Sequence, residues 1–291
     1  AAELGVEYDE RSKLKVIEDL IAEGVDAVPT VHPRQFLNEI VVNNEDVHSL
    51  FPLGGVSNKT TVYNNESGKY LIYKSDRHGF NNPNSQWDSK RIEWFLTGDS
   101  FTHGSYVQPG EEIAGQIRAI AHSSAISVGI GSNGPLIEYA ALVEYGKALK
   151  PVKVLWIYYE GNDLFGDIQR EKNSPLLMQY MEDGFSQNLI NRQKEIDSRL
   201  RRYIIQAQAQ AQAQLYKTQW IRLQAIRDVI GLDDVDVVDV DPLFAEILTK
   251  AKAEVDGWEG KLYFVYLPEY ARYKKSVLHD DHRRKSEVIE V

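Results

Sequence analysis

Cysteine is absent from the 291 residues. That excludes disulfides, thiol catalysis and cysteine-ligated metals, and it leaves the redox compartment open. Any nucleophile must therefore be an oxygen or a nitrogen. Long apolar runs are missing too: no window reaches the roughly 20 consecutive apolar residues of a membrane helix, so no membrane span is expected. No secretory signal opens the chain. Instead "AAELGVEYDERSKLKVIEDL" reads as an amphipathic helix already under way, with a candidate helix over residues 1–24. Such a start fits a chain that follows a removed leader, an anchor or a cut. Positive charge is in deficit, with 33 basic against 43 acidic side chains and a net charge of -10. This surface repels phosphate backbones, and no nucleic-acid partner is expected. What the chain does have is 43% apolar composition, enough to bury a core as one large domain or two small ones.

Texture divides the chain at about residue 92. After the opening helix, residues 25–92 carry short apolar runs such as "TTVYN" and "KYLIYKS", broken by Gly, Asn and Pro. They predict an irregular N-terminal section of hairpins and loops, packed on a main domain over 93–291. From Glu93 apolar runs alternate with helical spacing. "EWFLTG", "AISVGIG" and "VKVLWIYYEG" predict three strands, and "EEIAGQIRAIAH" and "PLIEYAALVEYGKAL" the helices between them, with Pro135 opening the second. "KLYFVYLPEY" and the terminal "SEVIEV" predict a fourth and a fifth strand. The expectation is an α/β three-layer fold around a five-stranded parallel sheet. A long insertion over about 164–260 separates the third and fourth strands. Its stretch 186–230 has no proline, and the "QAQAQAQAQ" tract favours a long helix because alanine and glutamine are good helix formers. The expectation is a protruding arm or a pair of helices folded back, a solvated helix with one packed stripe, or a surface for a protein partner.

Ligands of such sheets bind beyond the carboxyl ends of the strands. Three strand ends line up there: "TGDS" at Ser100, "GIGSNG" around Ser132 and "YEGND" at Asn162. A serine is a poor nucleophile unless a base takes its proton and donors receive the developing negative charge. The turn after Ser100, the glycine-rich segment 129–134 and the Asn162 amide are candidate donors. Taken singly, each is also an ordinary turn. Asp99, His78 beside Asp76, and Tyr159 at the third strand's end are candidates to contact substrate.

The order of these segments resembles the SGNH (GDSL-type) hydrolases. "FLTGDSFTHG" is similar to their first block, "SVGIGSNGP" to the second and "YYEGNDL" to the third; "SDRHGFNNP" is similar to a segment of bacterial members of unknown substrate. The resemblance is good over residues 76–165. It implies a flavodoxin-like SGNH hydrolase fold, Ser100 as nucleophile, Asn162 as side-chain oxyanion donor, and Gly131 or Ser132 as backbone donor. Ser127 and Ser132 depart from the family's Asn-x-Gly-x-x-Gly. It further implies an ester substrate, an O-acetylated saccharide by analogy, and an extracytoplasmic bacterial location. No metal or organic cofactor is implied.

The family's fourth block, an Asp-x-x-His after the last strand, is not found. "VLHDDHRRKSEVIEV" holds His279, Asp280, Asp281 and His282, but with a different spacing and ahead of the last expected strand. Truncation before that block is the simplest expectation. Since losing a triad histidine costs on the order of a millionfold, the chain as it stands is expected to be nearly inactive. His103, three residues after Ser100, is expected in first-turn packing or in solvent rather than as the base. "GLDDVDVVDVDP", over 231–242, is expected as an edge strand or solvated loop. The functional expectation is a serine esterase or deacylase working through an acyl-enzyme. The alternatives are an O-acyltransferase to a saccharide and a non-catalytic binding or scaffold module.

Overall fold

A computed structural model describes residues 8–37, 50–215, 240–269, 285, 286, 288 and 289. In chain order the elements are α1 (Lys13–Ala22), β1 (Ala27–Pro29), β2 (Thr60–Val62), β3 (Ile72–Lys74), β4 (Trp94–Gly98), α2 (Ser100–His103) and α3 (Ile113–Ala121). Then come β5 (Ala125–Ser127) and α4 (Pro135–Ala141, running on through Leu142–Gly146 and Lys147–Leu149). They are followed by β6 (Lys153–Tyr159) and α5 (Asp163–Asp167, running on as Ile168–Glu171). The last are α6 (Pro175–Met178), α7 (Gln193–Leu215), α8 (Pro242–Gly257) and β7 (Lys261–Leu267).

The main sheet is parallel throughout, in the order β5-β4-β6-β7. Its side chains alternate between two helical layers. On one face Leu96 and Ile157 pack with Ala114, Ile113 and Ile117 of α3. On the other, Phe95, Val154, Trp156 and Tyr158 join α4 and α8 in the main core. Both central strands are therefore buried on both sides, which is why "WFLTG" and "KVLWIYY" are nearly continuous apolar runs. With the strands numbered as they occur within this sheet, the order is 2-1-3-4. Its crevice lies where the connections leave in opposite directions, beyond the ends of β4 and β6. Ser100 and Asn162 follow those two ends.

Three expectations are corrected. The sheet has four strands among the described residues, not five. Residues 285, 286, 288 and 289 of the terminal run are helical, with Val288 buried against the core beside Phe264 and Tyr266. Six residues are too few for alternation to separate a strand from one helical turn. The opening helix starts at Lys13 rather than near residue 1, because the Ser12 hydroxyl caps it by accepting from the Lys15 N–H at 3.2 Å. Among the described residues no helix is long and apolar enough to cross a membrane.

The N-terminal section forms its own small sheet, β1-β2-β3, with α1 on it through Val16, Ile17, Ala27 and Val62. It joins the main domain through "SDRHGFNNP". The buried Asp76 carboxylate accepts from the N–H groups of His78 and Phe80, the Asn82 amide and the Trp87 indole, at 2.8–3.0 Å. Asn82 in turn exchanges hydrogen bonds with the backbone of Ser127, at 2.8 Å in each direction. The segment is a tie between the section and the end of β5.

Candidate functional site

The chain reaches Ser100 through a corner that only glycine fits. Gly98 has φ +154°, and a Cβ there would lie 2.1 Å from Thr102 Oγ1 and 2.7 Å from the Ile157 carbonyl. Asp99 then caps the short turn α2 by accepting from the Phe101 N–H at 2.9 Å. Gly104, at φ 77°, closes that turn. Ser100 is left half-buried at the crevice, with its Oγ 3.4 Å from Asp99 Oδ2.

Asp99 Oδ2 accepts from the Ser100 hydroxyl at 3.4 Å, and burial raises its pKa. Asn162 follows the end of the paired strand β6, and its Nδ2 donates to Asp167 Oδ2 at 2.9 Å. Tyr159 borders the same place. Its ring centroid lies 4.7 Å from that of Phe101, next to Ser100, and its N–H donates to Asp163 Oδ2 at 2.8 Å.

The second turn is held from several sides. Gly131 is buried against Tyr63, whose hydroxyl would lie 2.1 Å from a Cβ added there. Tyr63 stacks between two imidazoles, His32 at 5.4 Å and His103 at 4.7 Å. His103 Nδ1 lies 3.2 Å from the Gly129 carbonyl. His32 borders the same turn, its Cε1 lying 3.3 Å from a Cβ added at Gly131. Ser132 itself holds φ +66°, a left-handed conformation uncommon for a residue with a Cβ. Burial lowers both imidazoles to a pKa of about 4 and leaves them neutral at pH 7.

Beneath this surface lies a set of buried carboxyls: Glu138, Asp163, Asp167 and Glu171. Burial, reinforced by Asp163 and Asp99, pushes Glu138 well up; burial and Asp99 do the same to Asp163. Burial raises Asp167 to about 6 and Glu171 to about 8. Among the described residues no group of three or more His, Asp or Glu side chains is arranged to hold a metal ion.

Of the sequence-predicted site residues, Ser100, Asp99, Asn162 and Tyr159 come together, and Gly131 and Ser132 form a turn on the same side of the sheet. His78 does not join them. It is buried against Trp87 and Tyr145, with ring centroids at 4.4 and 5.5 Å, inside the N-terminal tie. Its backbone N–H donates to the Asp76 carboxylate at 2.8 Å. His103 is packed, as expected. His279, His282 and most of the 231–242 run lie outside the described residues; Asp241 caps α8. His32, Tyr63 and Glu171 were missed. The first two carry no signal in an irregular segment. Asp163, Asp167 and Glu171 do carry one, since acids four apart share a helix face.

No family model matches this chain. No curated protein matches it either. Among solved structures, a mutant of the esterase AlinE4 is similar at 17% identity and a TM-score of 0.23, over 58% of this chain and 96% of that one. A likeness at that score carries no argument here.

Proposed function

We propose that this chain is a serine hydrolase of the ester-cleaving type. The observation that carries the reading is that Ser100 and Asn162 follow the ends of the paired strands β4 and β6, with Phe101 beside Ser100 in ring contact with Tyr159 at 4.7 Å. In this reading Ser100 Oγ attacks the ester carbonyl carbon, its proton goes to a base, and the carbonyl oxygen becomes an oxyanion. The Ser132 N–H and the Asn162 amide receive that charge; the C–O bond then breaks, the alcohol leaves with a proton, and water releases the acid. Each such donor is worth roughly 10²–10³ in rate. The base belongs to a histidine other than His32 and His103, whose rings are stacked on Tyr63.

A second reading, a non-catalytic binding module, is favoured by one contact: Asn162 Nδ2 already donates to Asp167. The two separate by a fluorophosphonate probe. Labelling should occur at Ser100, should be accelerated by added imidazole standing in for the base, and should vanish in Ser100→Ala. Failure to label, with or without imidazole, favours the module.

A further inference from the structure

We infer that Glu171 is a positioning residue, whose carboxylate fixes the distance between the two candidate oxyanion donors, the Ser132 N–H and the Asn162 amide. The inference rests on the hydrolase reading above and deepens it.

Glu171 ends α5, the helix that begins immediately after Asn162. Its carboxylate reaches across to the turn that carries Ser132. It accepts from three backbone N–H groups there: Gly134 at 2.6 Å, Leu136 at 2.9 Å and Ile137 at 3.4 Å. These are orphan donors of the first turn of α4, which has no side-chain cap of its own. Their partial positive charge suits the accepting oxygens of a carboxyl group. The approach is close throughout, since a Cβ added at Gly134 would lie 2.8 Å from Glu171 Oε1 and 2.7 Å from Asp167 Cβ.

The consequence follows from what lies on either side. Ser132 sits two residues before Gly134 and directly after Gly131, which is packed against Tyr63 and His32. Its left-handed φ is a strained state that persists only when neighbours hold it. Glu171 supplies the hold on the carboxyl-terminal side. Because the same helix starts at Asn162, one side chain sets both donors relative to each other. A stabilising cap needs only one end of that link. An oxyanion hole needs both, because a misplacement of about 1 Å can cost on the order of a hundredfold in rate.

The test compares Glu171→Ala and Glu171→Gln with the unaltered chain. Two readouts are used: the imidazole-assisted labelling rate at Ser100, and amide hydrogen exchange at Gly134, Leu136 and Ile137. Glu171→Ala should expose the three amides to faster exchange and slow labelling on the order of a hundredfold. Glu171→Gln keeps one accepting oxygen and should recover part of both. Far-UV circular dichroism establishes that the variants fold, and Glu171→Gln serves should the alanine variant not. Unchanged exchange overturns the inference, and so does faster exchange with an unchanged labelling rate. If the unaltered chain does not label at all, the hydrolase reading fails and takes this inference with it. The exchange data then still show separately whether Glu171 holds the turn.

Discussion

Gly131 shows how a single hydrogen atom in place of a side chain can decide a site. The Tyr63 hydroxyl occupies the space a Cβ would need, at 2.1 Å, and Tyr63 cannot step aside because His32 and His103 hold both faces of its ring. Gly131→Ala should therefore destabilise the protein by about 1–3 kcal/mol through overpacking. Tyr63→Phe removes the colliding oxygen and should recover part of that loss. The ring carbon that remains lies 3.5 Å from the new methyl, an ordinary contact. Denaturant unfolding of the two single variants and the double variant measures the coupling. Strictly additive losses would contradict the contact. None of this was legible in the sequence, because Tyr63 and Gly131 belong to different sheets and only the tertiary fold brings them together. Ser100 and Asn162 were legible, since each marks the point where a doubly buried apolar run stops, and such runs have few other causes. Glu171 left half a signal in its spacing from Asp167 and Asp163. Nothing in that spacing says that the shared face meets a helix N-terminus.

Elements differ in how firmly pattern alone determines them. The strands β4 and β6 were readable because parallel strands covered on both faces have no polar side to confuse them. The terminal "SEVIEV" was not, since one buried Val288 satisfies a helical turn as well as an edge strand. The long helix α7 lies between these cases. Its first half carries a packed stripe in Ile196 and Leu200, both fully buried, while Gln208, Ala209 and Gln210 are exposed. The helix is thus anchored through its first turns and exposed at Gln208, Ala209 and Gln210, in keeping with the expected packed stripe. Leu200→Ala should cost about 2–5 kcal/mol by leaving a cavity. Ala209→Gly should cost no more than about 1 kcal/mol, the bare propensity difference. Thermal melts of the two variants separate these values; equal losses would mean that the tract packs against something.

The protein as a whole carries an unusual balance of buried titratable groups, and their signs can be worked through. His32, His78 and His103 are each lowered by burial to about 4. The unfolded chain therefore binds more protons on these groups below about pH 6.5, and their contribution to stability rises with pH up to that point. The buried carboxyls act in the opposite sense. Asp76 and Asp167 are raised to about 6, Glu171 to about 8, and Glu138 and Asp163 well above the usual range, all principally by burial. Each holds in the folded state a proton that the unfolded chain has already released, so its contribution falls as pH rises towards its folded value. Below pH 6.5 the two sets oppose each other. Between pH 6.5 and 8 the unfolded imidazoles lose the rest of their protons and the histidine term fades, while Asp76 and Asp167 have largely ionised. Glu171, with Glu138 and Asp163 raised in the same direction, then carries the falling term, at up to about 1.4 kcal/mol per group per pH unit. Unfolding free energies measured at pH 6.5 and pH 8 should accordingly fall with rising pH. Glu138→Gln should flatten the slope, because an amide of nearly the same shape cannot ionise where burial pushes the Glu138 pKa well up. A stability that is flat or rising across this window would mean that these carboxyls are ionised in the folded protein, and the polar floor beneath Ser100 would then be negatively charged rather than neutral.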